Sequence, residues 1–228
     1  MKKYDIALFD LDGTISESGE GILECVRSIF IEMNRPLPDE ASLAAFIGPP
    51  MYDSLRRCGF HHTDADKGVE IYKRNFIRSG IYKNRLYNGL KEVLSALRKE
   101  GVRLAVATTK YQKFADKIIA MLGIEEYFDI VCGSNSLAGH MPDNDEKPRS
   151  NKIEVMQYAI NTLRKSDDDK VVMLGDTKYD ADGAANVQCD FIGCLYGYGT
   201  KEEMEKSYTF GKPLFVSAPK EITQLILC

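Results

Sequence analysis

An apolar run, Ile6-Ala7-Leu8-Phe9, leads straight into Asp10-Leu11-Asp12-Gly13-Thr14. Such a run reads as a buried strand, and two carboxylates at its exit are costly to bury. A cation or a reacting electrophile between them removes that cost. Residues alternate faces along a strand, so Asp10 and Asp12 are expected on one side. Gly13 permits a sharp turn, and Thr14 supplies a hydroxyl. One carboxylate of such a pair can attack phosphorus while binding a metal. The other can give a proton to the leaving group and later take one from water. Asp-Gly is also a common turn dipeptide, so this segment alone leaves a plain strand-end turn open. The residues that follow do not fit the ligand spacing of an EF-hand calcium loop.

A second acidic site lies far along the chain. Val171-Val172-Met173-Leu174 is apolar with β character and runs into Gly175-Asp176-Thr177-Lys178-Tyr179-Asp180. In a parallel sheet, ligands collect beyond the carboxyl ends of the strands near a topological switch point. Two strands ending in aspartate are expected to bring Asp10, Asp12 and Asp176 together. Three carboxylates without histidine or cysteine make a hard-cation site of the kind magnesium prefers. A third apolar run, 102–110, ends in Thr108-Thr109-Lys110. Hydroxyl and backbone N–H groups there can bind a phosphate oxygen, or the threonines can cap a helix.

Together these segments resemble the haloacid dehalogenase superfamily, in its phosphoglycolate phosphatase-like branch. Asp10-Leu11-Asp12-Gly13-Thr14 resembles the first family motif and Thr108 the second. A lysine before the helix starting near Ile153 resembles the third, and the Gly-Asp-x-x-x-Asp segment at 175–180 resembles the fourth. The resemblance implies that Asp10 is the nucleophile of an aspartyl-phosphate and Asp12 the general acid, then base. It implies that Thr108 and the lysine hold phosphate oxygens. Asp10, the Asp12 carbonyl and Asp176 would ligate Mg2+, with Asp180 in support.

The third motif departs from the family pattern. Its stretch, 139–152, is long and polar and offers two lysines. Lys147-Pro148 resembles one family form. Lys152, directly before the helical pattern at 153–159, resembles the form of the phosphoglycolate phosphatase-like branch. A lysine in a first helical turn opposes the helix dipole, which points to a task beyond helix stability. Lys152 is therefore preferred over Lys147.

From about Gly19 to Ser79 the reading is mostly helical: Ile22, Val26, Ile29, Phe30 and Met33 recur at helical spacing. Helical patterns also cover 41–46, 52–58 and 65–78, with a break at Gly48-Pro49-Pro50. The expected architecture is α/β. It is a Rossmann-like, doubly wound parallel-sheet core (1–15 and 88–228) with a helical cap domain (16–87) inserted after the first strand. A cap of this kind can close over the site and contact the non-phosphate part of the substrate. Family resemblance points to the cap placed between the first and second motifs. Ile47-Gly48-Pro49-Pro50 resembles a cap loop facing the active site. One of Arg56 and Arg57 could reach an anionic substrate, and surface salt bridges are the expected role of both. Phe128–Cys132 and Phe191–Leu195 read as further strands, 181–187 and the last residues as helices, and Tyr196-Gly197-Tyr198-Gly199 as a flexible loop.

The 228 residues carry 44% hydrophobic and 28% charged side chains, ordinary for a soluble globular protein. A net charge of −4 argues against nucleic acid as the main partner. No apolar run approaches the roughly 20 residues of a membrane span. The basic start is not followed by an uninterrupted apolar segment, which argues against a signal peptide. Six scattered cysteines without a Cys-x-x-Cys pair suggest reduced thiols in a cytoplasmic protein. His61-His62 has no third ligand in view and reads as loop or surface.

The expected activity is a magnesium-dependent phosphomonoesterase acting on a small phosphorylated metabolite, with phosphoglycolate implied by the resemblance. A 5′-nucleotidase, a sugar-phosphate phosphatase, a phosphomutase and a non-catalytic phosphate-binding regulator remain open. The resemblance favours hydrolysis, by a monomer or weak homodimer.

Overall fold

The computed structural model describes residues 2–135 and 148–227. Lys147, the alternative to Lys152, lies outside the described residues. The chain opens with β1 (Ile6–Phe9) and β2 (Ser16–Glu17). Four helices follow: α1 (Gly19–Glu32), α2 (Glu40–Ala44), α3 (Met51–Arg57) and α4 (His62–Arg78). Then come β3 (Arg85–Leu86), α5 (Leu90–Lys99), β4 (Arg103–Tyr111), α6 (Gln112–Met121) and β5 (Ile130–Ser134). The last part holds α7 (Lys152–Leu163), β6 (Val171–Gly175), α8 (Lys178–Asn186) and β7 (Asp190–Cys194), then α9 (Lys201–Ser207), β8 (Leu214–Val216) and α10 (Ile222–Leu227).

Six strands form one parallel sheet in the order β5-β4-β1-β6-β7-β8. β1 sits inside it, buried on both faces. Ile6 and Leu8 enter the layer that holds Val155 and Met156 of α7 and Ala181 of α8. Ala7 and Phe9 enter the layer that holds Leu94 of α5 and Ile118 of α6. Covering on both sides is why the strand reads as an unbroken apolar run. Burying each large side chain contributes about 1.5–3 kcal/mol. The chain winds from β1 through β4 to β5 on one side, then through β6, β7 and β8 on the other. The order thus reverses beside β1, at the kind of crevice where α/β sheets bind ligands. Phe9 lies opposite both Val106 and Leu174. One residue further, Asp10, Ala107 and Gly175 emerge at the same level.

Between β2 and β3 the chain is helical. α1 buries Ile22, Val26, Ile29 and Phe30, and α4 buries Ala65, Val69, Tyr72 and Phe76. The two helices pack on each other. Asp39 caps α2 by accepting from Ser42 N. The chain's exit to and return from these helices pair antiparallel, Ser16 with Leu86 and Glu17 with Arg85. The buried Ser16 hydroxyl donates to Asn84 Oδ1 at 2.9 Å, tying the same crossing together.

Several local expectations change. The 196–199 segment is anchored rather than loose: the Tyr196 hydroxyl donates to Thr14 O at 3.0 Å, and its ring meets Tyr87 edge-on at 4.8 Å. Arg56 and Arg57 form no salt bridge among the described residues. Arg56 donates to the Phe60 carbonyl, and Arg57 to Tyr179 Oη, Ala45 O and Ser54 Oγ. Carbonyl and hydroxyl oxygens take the place of the expected carboxylates. Thr108-Thr109-Lys110 does not cap a helix, because β4 continues to Tyr111 and α6 begins after it. α9 and the edge strand β8 are too short to show a period in the sequence. Cys25, Cys132, Cys189 and Cys194 are buried free thiols. Among the described residues, no helix is long and apolar enough to cross a membrane.

Candidate active site

At the carboxyl ends of β1 and β6, three buried carboxylates converge. Oxygens of Asp10, Asp176 and Asp180 lie within 4.8 Å of one another. Asp10 is the residue after β1, and its N–H donates to Leu174 O at 2.9 Å, which fixes it against β6. Asp176 directly follows β6 and accepts from Thr14 Oγ1 (3.2 Å) and Tyr198 N (2.8 Å). Asp180 sits in the first turn of α8. Its Oδ2 accepts from the Thr177 N–H and hydroxyl at 3.0 and 2.8 Å, so a capping box fixes its direction.

Lys152 reaches this cluster from the start of α7. Its ammonium lies 2.5 Å from Asp10 Oδ1, 2.7 Å from Asp180 Oδ1 and 2.9 Å from Ala107 O. Burial pushes the Asp10 carboxyl up to about 7; Lys152 opposes this, while Asp180 and Asp12 add to it. Asp176 is likewise raised well above the usual carboxylate range by burial, then by Asp180 and Asp10. Burial works to lower the Lys152 pKa, but Asp10 and Asp180 outweigh it and hold the ammonium charged. With all three carboxylates ionised, as a bound cation would hold them, the one ammonium would leave two negative charges uncompensated. A divalent cation bound through oxygen balances that excess, so the donor set fits Mg2+.

Asp12 does not join the cluster through its carboxylate. The chain leaves the strand after Phe9, so the alternation that would put Asp10 and Asp12 on one side does not persist. Asp12 Oδ2 instead accepts from the Lys110 ammonium at 2.7 Å. Asp180 replaces it as the third carboxylate. Gly13 makes the turn between these groups possible. Its φ is +88°, and a Cβ there would stand 2.1 Å from Asp176 Oδ2. A Cβ at Gly197 would also strike Asp176, at 2.3 Å.

Thr108 is buried beside β1, and its hydroxyl accepts from Lys110 N at 3.2 Å. Next to it, Thr109 Oγ1 donates to Gly48 O at 2.9 Å. The Gly48-Pro49-Pro50 break is thereby held against the site. Between the helices and the sheet lies a cavity of about 500 Å³ that reaches Asp12 and Lys110.

A family model, "Haloacid dehalogenase-like hydrolase", matches residues 7–194, a span that contains the three clustered carboxylates, Asp12, Thr108, Lys110 and Lys152. The chain belongs to that family. Among similar proteins, the tyrosine-protein kinase PtkA of Mycobacterium tuberculosis is 32% identical over 204 residues. That alignment covers 90% of this chain but only 66% of the kinase, so the chain spans just under two thirds of that relative's length. A 5′-nucleotidase of Pseudomonas aeruginosa is 31% identical over 203 residues, covering 89% of this chain and 87% of the other. A phosphoglycolate phosphatase of Colwellia psychrerythraea is 25% identical over 215 residues, covering 90% and 91%. The crystal structure of a predicted phosphatase from Clostridium acetobutylicum superposes with a TM-score of 0.85 at 32% identity, over 97% of each chain.

Sequence reasoning left two contributors without a role. Lys110 carried a signal, since it stands two residues after Thr108 and so shares its strand face. Its partner became visible only once β4 paired with β1. Tyr198 carried none. Its hydroxyl accepts from Ser18 N (2.8 Å) and Gly19 N (2.7 Å), while its own N–H serves Asp176. It thus ties the start of α1 to the carboxylate cluster.

Proposed function

We propose that this chain is a magnesium-dependent phosphomonoesterase that works through an aspartyl-phosphate at Asp10. The observation that carries the reading is Lys152 lying on Asp10 inside a cluster of three carboxylates. Asp10 attacks phosphorus, the bond to the leaving oxygen breaks, and Asp12 supplies the proton that oxygen needs. Water then attacks the aspartyl-phosphate, Asp12 takes its proton, and Asp10 is released. Lys152 and the Thr108 hydroxyl hold phosphate oxygens, so that a dianion can approach a carboxylate. Asp10, Asp176 and the Asp12 carbonyl, with Asp180 in support, would hold Mg2+, which would supply further charge neutralisation. Residues 16–87 act as the cap, with the Gly48 loop and the cavity-lining faces of α1 and α4 toward the substrate.

The substrate in this reading is a small phosphorylated metabolite. Phosphoglycolate is supported by relatives such as the Colwellia enzyme. A nucleoside 5′-monophosphate is the second reading, supported by the higher identity to the Pseudomonas 5′-nucleotidase. The deciding experiment measures phosphate release from both, with Mg2+ and with EDTA, for the wild type and Asp10→Asn. Turnover with Mg2+ that is lost in EDTA and in Asp10→Asn is expected. Undiminished turnover by folded Asp10→Asn would refute the nucleophile, and full activity in EDTA the metal.

A further inference from the structure

The cavity beside Asp12 is much larger than the site's chemistry requires. At about 500 Å³ it falls in the range that encloses drug-sized ligands. A two-carbon acid would leave most of it unfilled. Beyond Asp12 its described lining includes the apolar side chains of Ile22, Phe46, Met51, Val69 and Phe114 and the ring of Tyr72, beside polar groups.

Two further observations narrow what belongs there. The first is charge. Among the described residues, two ammonium groups line the cavity, and each already faces a carboxylate: Lys110 faces Asp12 at 2.7 Å, and Lys73 faces Glu70 at 2.5 Å. A second anion on the substrate would share an ammonium that already faces a carboxylate. The second is a connected run of rings along one wall. Tyr72 stacks on Phe76 (5.3 Å between centroids, 16° between planes), Phe76 meets Phe114 at 5.2 Å, and Phe114 meets Tyr111 edge-on at 5.4 Å. Tyr72, Phe114 and Tyr111 all line the cavity. Such a wall offers faces and edges to another ring, an arrangement more favourable than buried area alone.

We propose that the phosphoryl group is carried by an alcohol bearing an uncharged aromatic ring, and that the ring sits in this cavity between Val69, Tyr72 and Phe114. The proposal rests on the phosphomonoesterase reading for its chemistry, but the cavity's preference can be measured without turnover. A carboxylate-bearing substrate such as phosphoglycolate is then the poorer fit.

The test uses the full chain with Mg2+ and has two arms. In the first, calorimetry compares benzylphosphonate with ethylphosphonate, neither of which is hydrolysed. The benzyl compound is expected to bind at least tenfold more tightly; equal affinity would overturn the proposal. In the second, kcat/KM is compared for benzyl phosphate, adenosine 5′-monophosphate, ethyl phosphate and 2-phosphoglycolate. At least one ring-bearing ester should exceed ethyl phosphate and 2-phosphoglycolate by tenfold or more. The adenosine ester shows whether the ring is a base set behind a sugar. Phosphoglycolate leading the series would overturn the proposal. Val69→Ser and Phe114→Leu should each lower the benzyl-to-ethyl affinity ratio at least threefold. That ratio does not depend on the folded fraction. An unchanged ratio in both variants would place the ring elsewhere and overturn the assignment. If no ester is hydrolysed yet benzylphosphonate still binds more tightly, the phosphatase reading fails and the ring site stands.

Discussion

Lys152 is the first residue of α7, where the helix's partial positive charge opposes an ammonium. Its three short contacts, to Asp10, Asp180 and the Ala107 carbonyl, more than offset that opposition. We expect Lys152→Ala to lower kcat/KM at least about 100-fold, the scale for losing a charged group that stabilises a phosphoryl transition state. Lys147→Ala should stay within about threefold of wild type. Comparing the two variants on one ester checks the assignment, and the reverse order would hand the role to Lys147. Lys152 was legible because a misplaced charge on a helix is visible in one dimension. Lys110 was not, because its meaning depends on Asp12, which lies nearly a hundred positions away and is brought in by strand pairing.

At the scale of elements, Arg103 opens β4 and grips the turn that precedes β6. Its guanidinium lies 2.7 Å from Asp169 Oδ1 and 2.9 Å from Asp169 Oδ2, and it also donates to Leu163 O. Asp169 further accepts from the N–H groups of Lys165 and Ser166. Arg103, then the Lys165 N–H, hold the Asp169 carboxyl well below the usual carboxylate range. A depressed native pKa gives stability that is present above the unfolded value, about 4, and is lost as pH falls below it. Asp169→Asn should therefore cost about 1 kcal/mol at pH 7. The gap to wild type should begin to shrink as pH falls below about 4 and go on shrinking to the lowest pH at which the protein stays folded. Urea unfolding across that range checks it, and a gap that does not change with pH would exclude the ion pair as its source. Strands and helices with long periods were legible: α1, α4, β1 and β6 fall where the spacing of apolar residues puts them. α9 and β8 were not, since a three-residue edge strand acquires its conformation from the β7 neighbour it pairs with.

For the molecule as a whole, the carboxylate cluster stores repulsion that a cation relieves. Binding of Mg2+ to the native state alone adds RT ln(1 + [L]/Kd), about 2.7 kcal/mol at one hundred times Kd. For a chain of this size that corresponds to a rise in Tm of roughly 5–10 °C. Asp176→Asn removes one of the opposed charges. It should raise the melting temperature of the metal-free protein and lose most of the response to Mg2+. Thermal melts of both proteins in EDTA and in Mg2+ measure this directly. An unaltered Mg2+ response in Asp176→Asn would remove Asp176 from the ligand set. The same scale holds the closure of helices onto sheet, through Thr109 on Gly48 O and Arg57 on Tyr179.

Read alone, the sequence determined a doubly wound α/β fold with a helical insertion, because apolar period and strand-ending aspartates are local properties of the chain. It also singled out Asp10 and Asp176, each costly at a strand end unless another group compensates it, and, through the family resemblance, Lys152. The tertiary structure decided which groups compensate which. It turned the Asp12 carboxylate to Lys110, put Asp180, expected only in support, among the three clustered carboxylates, and anchored Tyr198 between α1 and Asp176. It alone shaped the cavity, because side chains from α1, α4 and α6 meet there only after the sheet has set the distances between them.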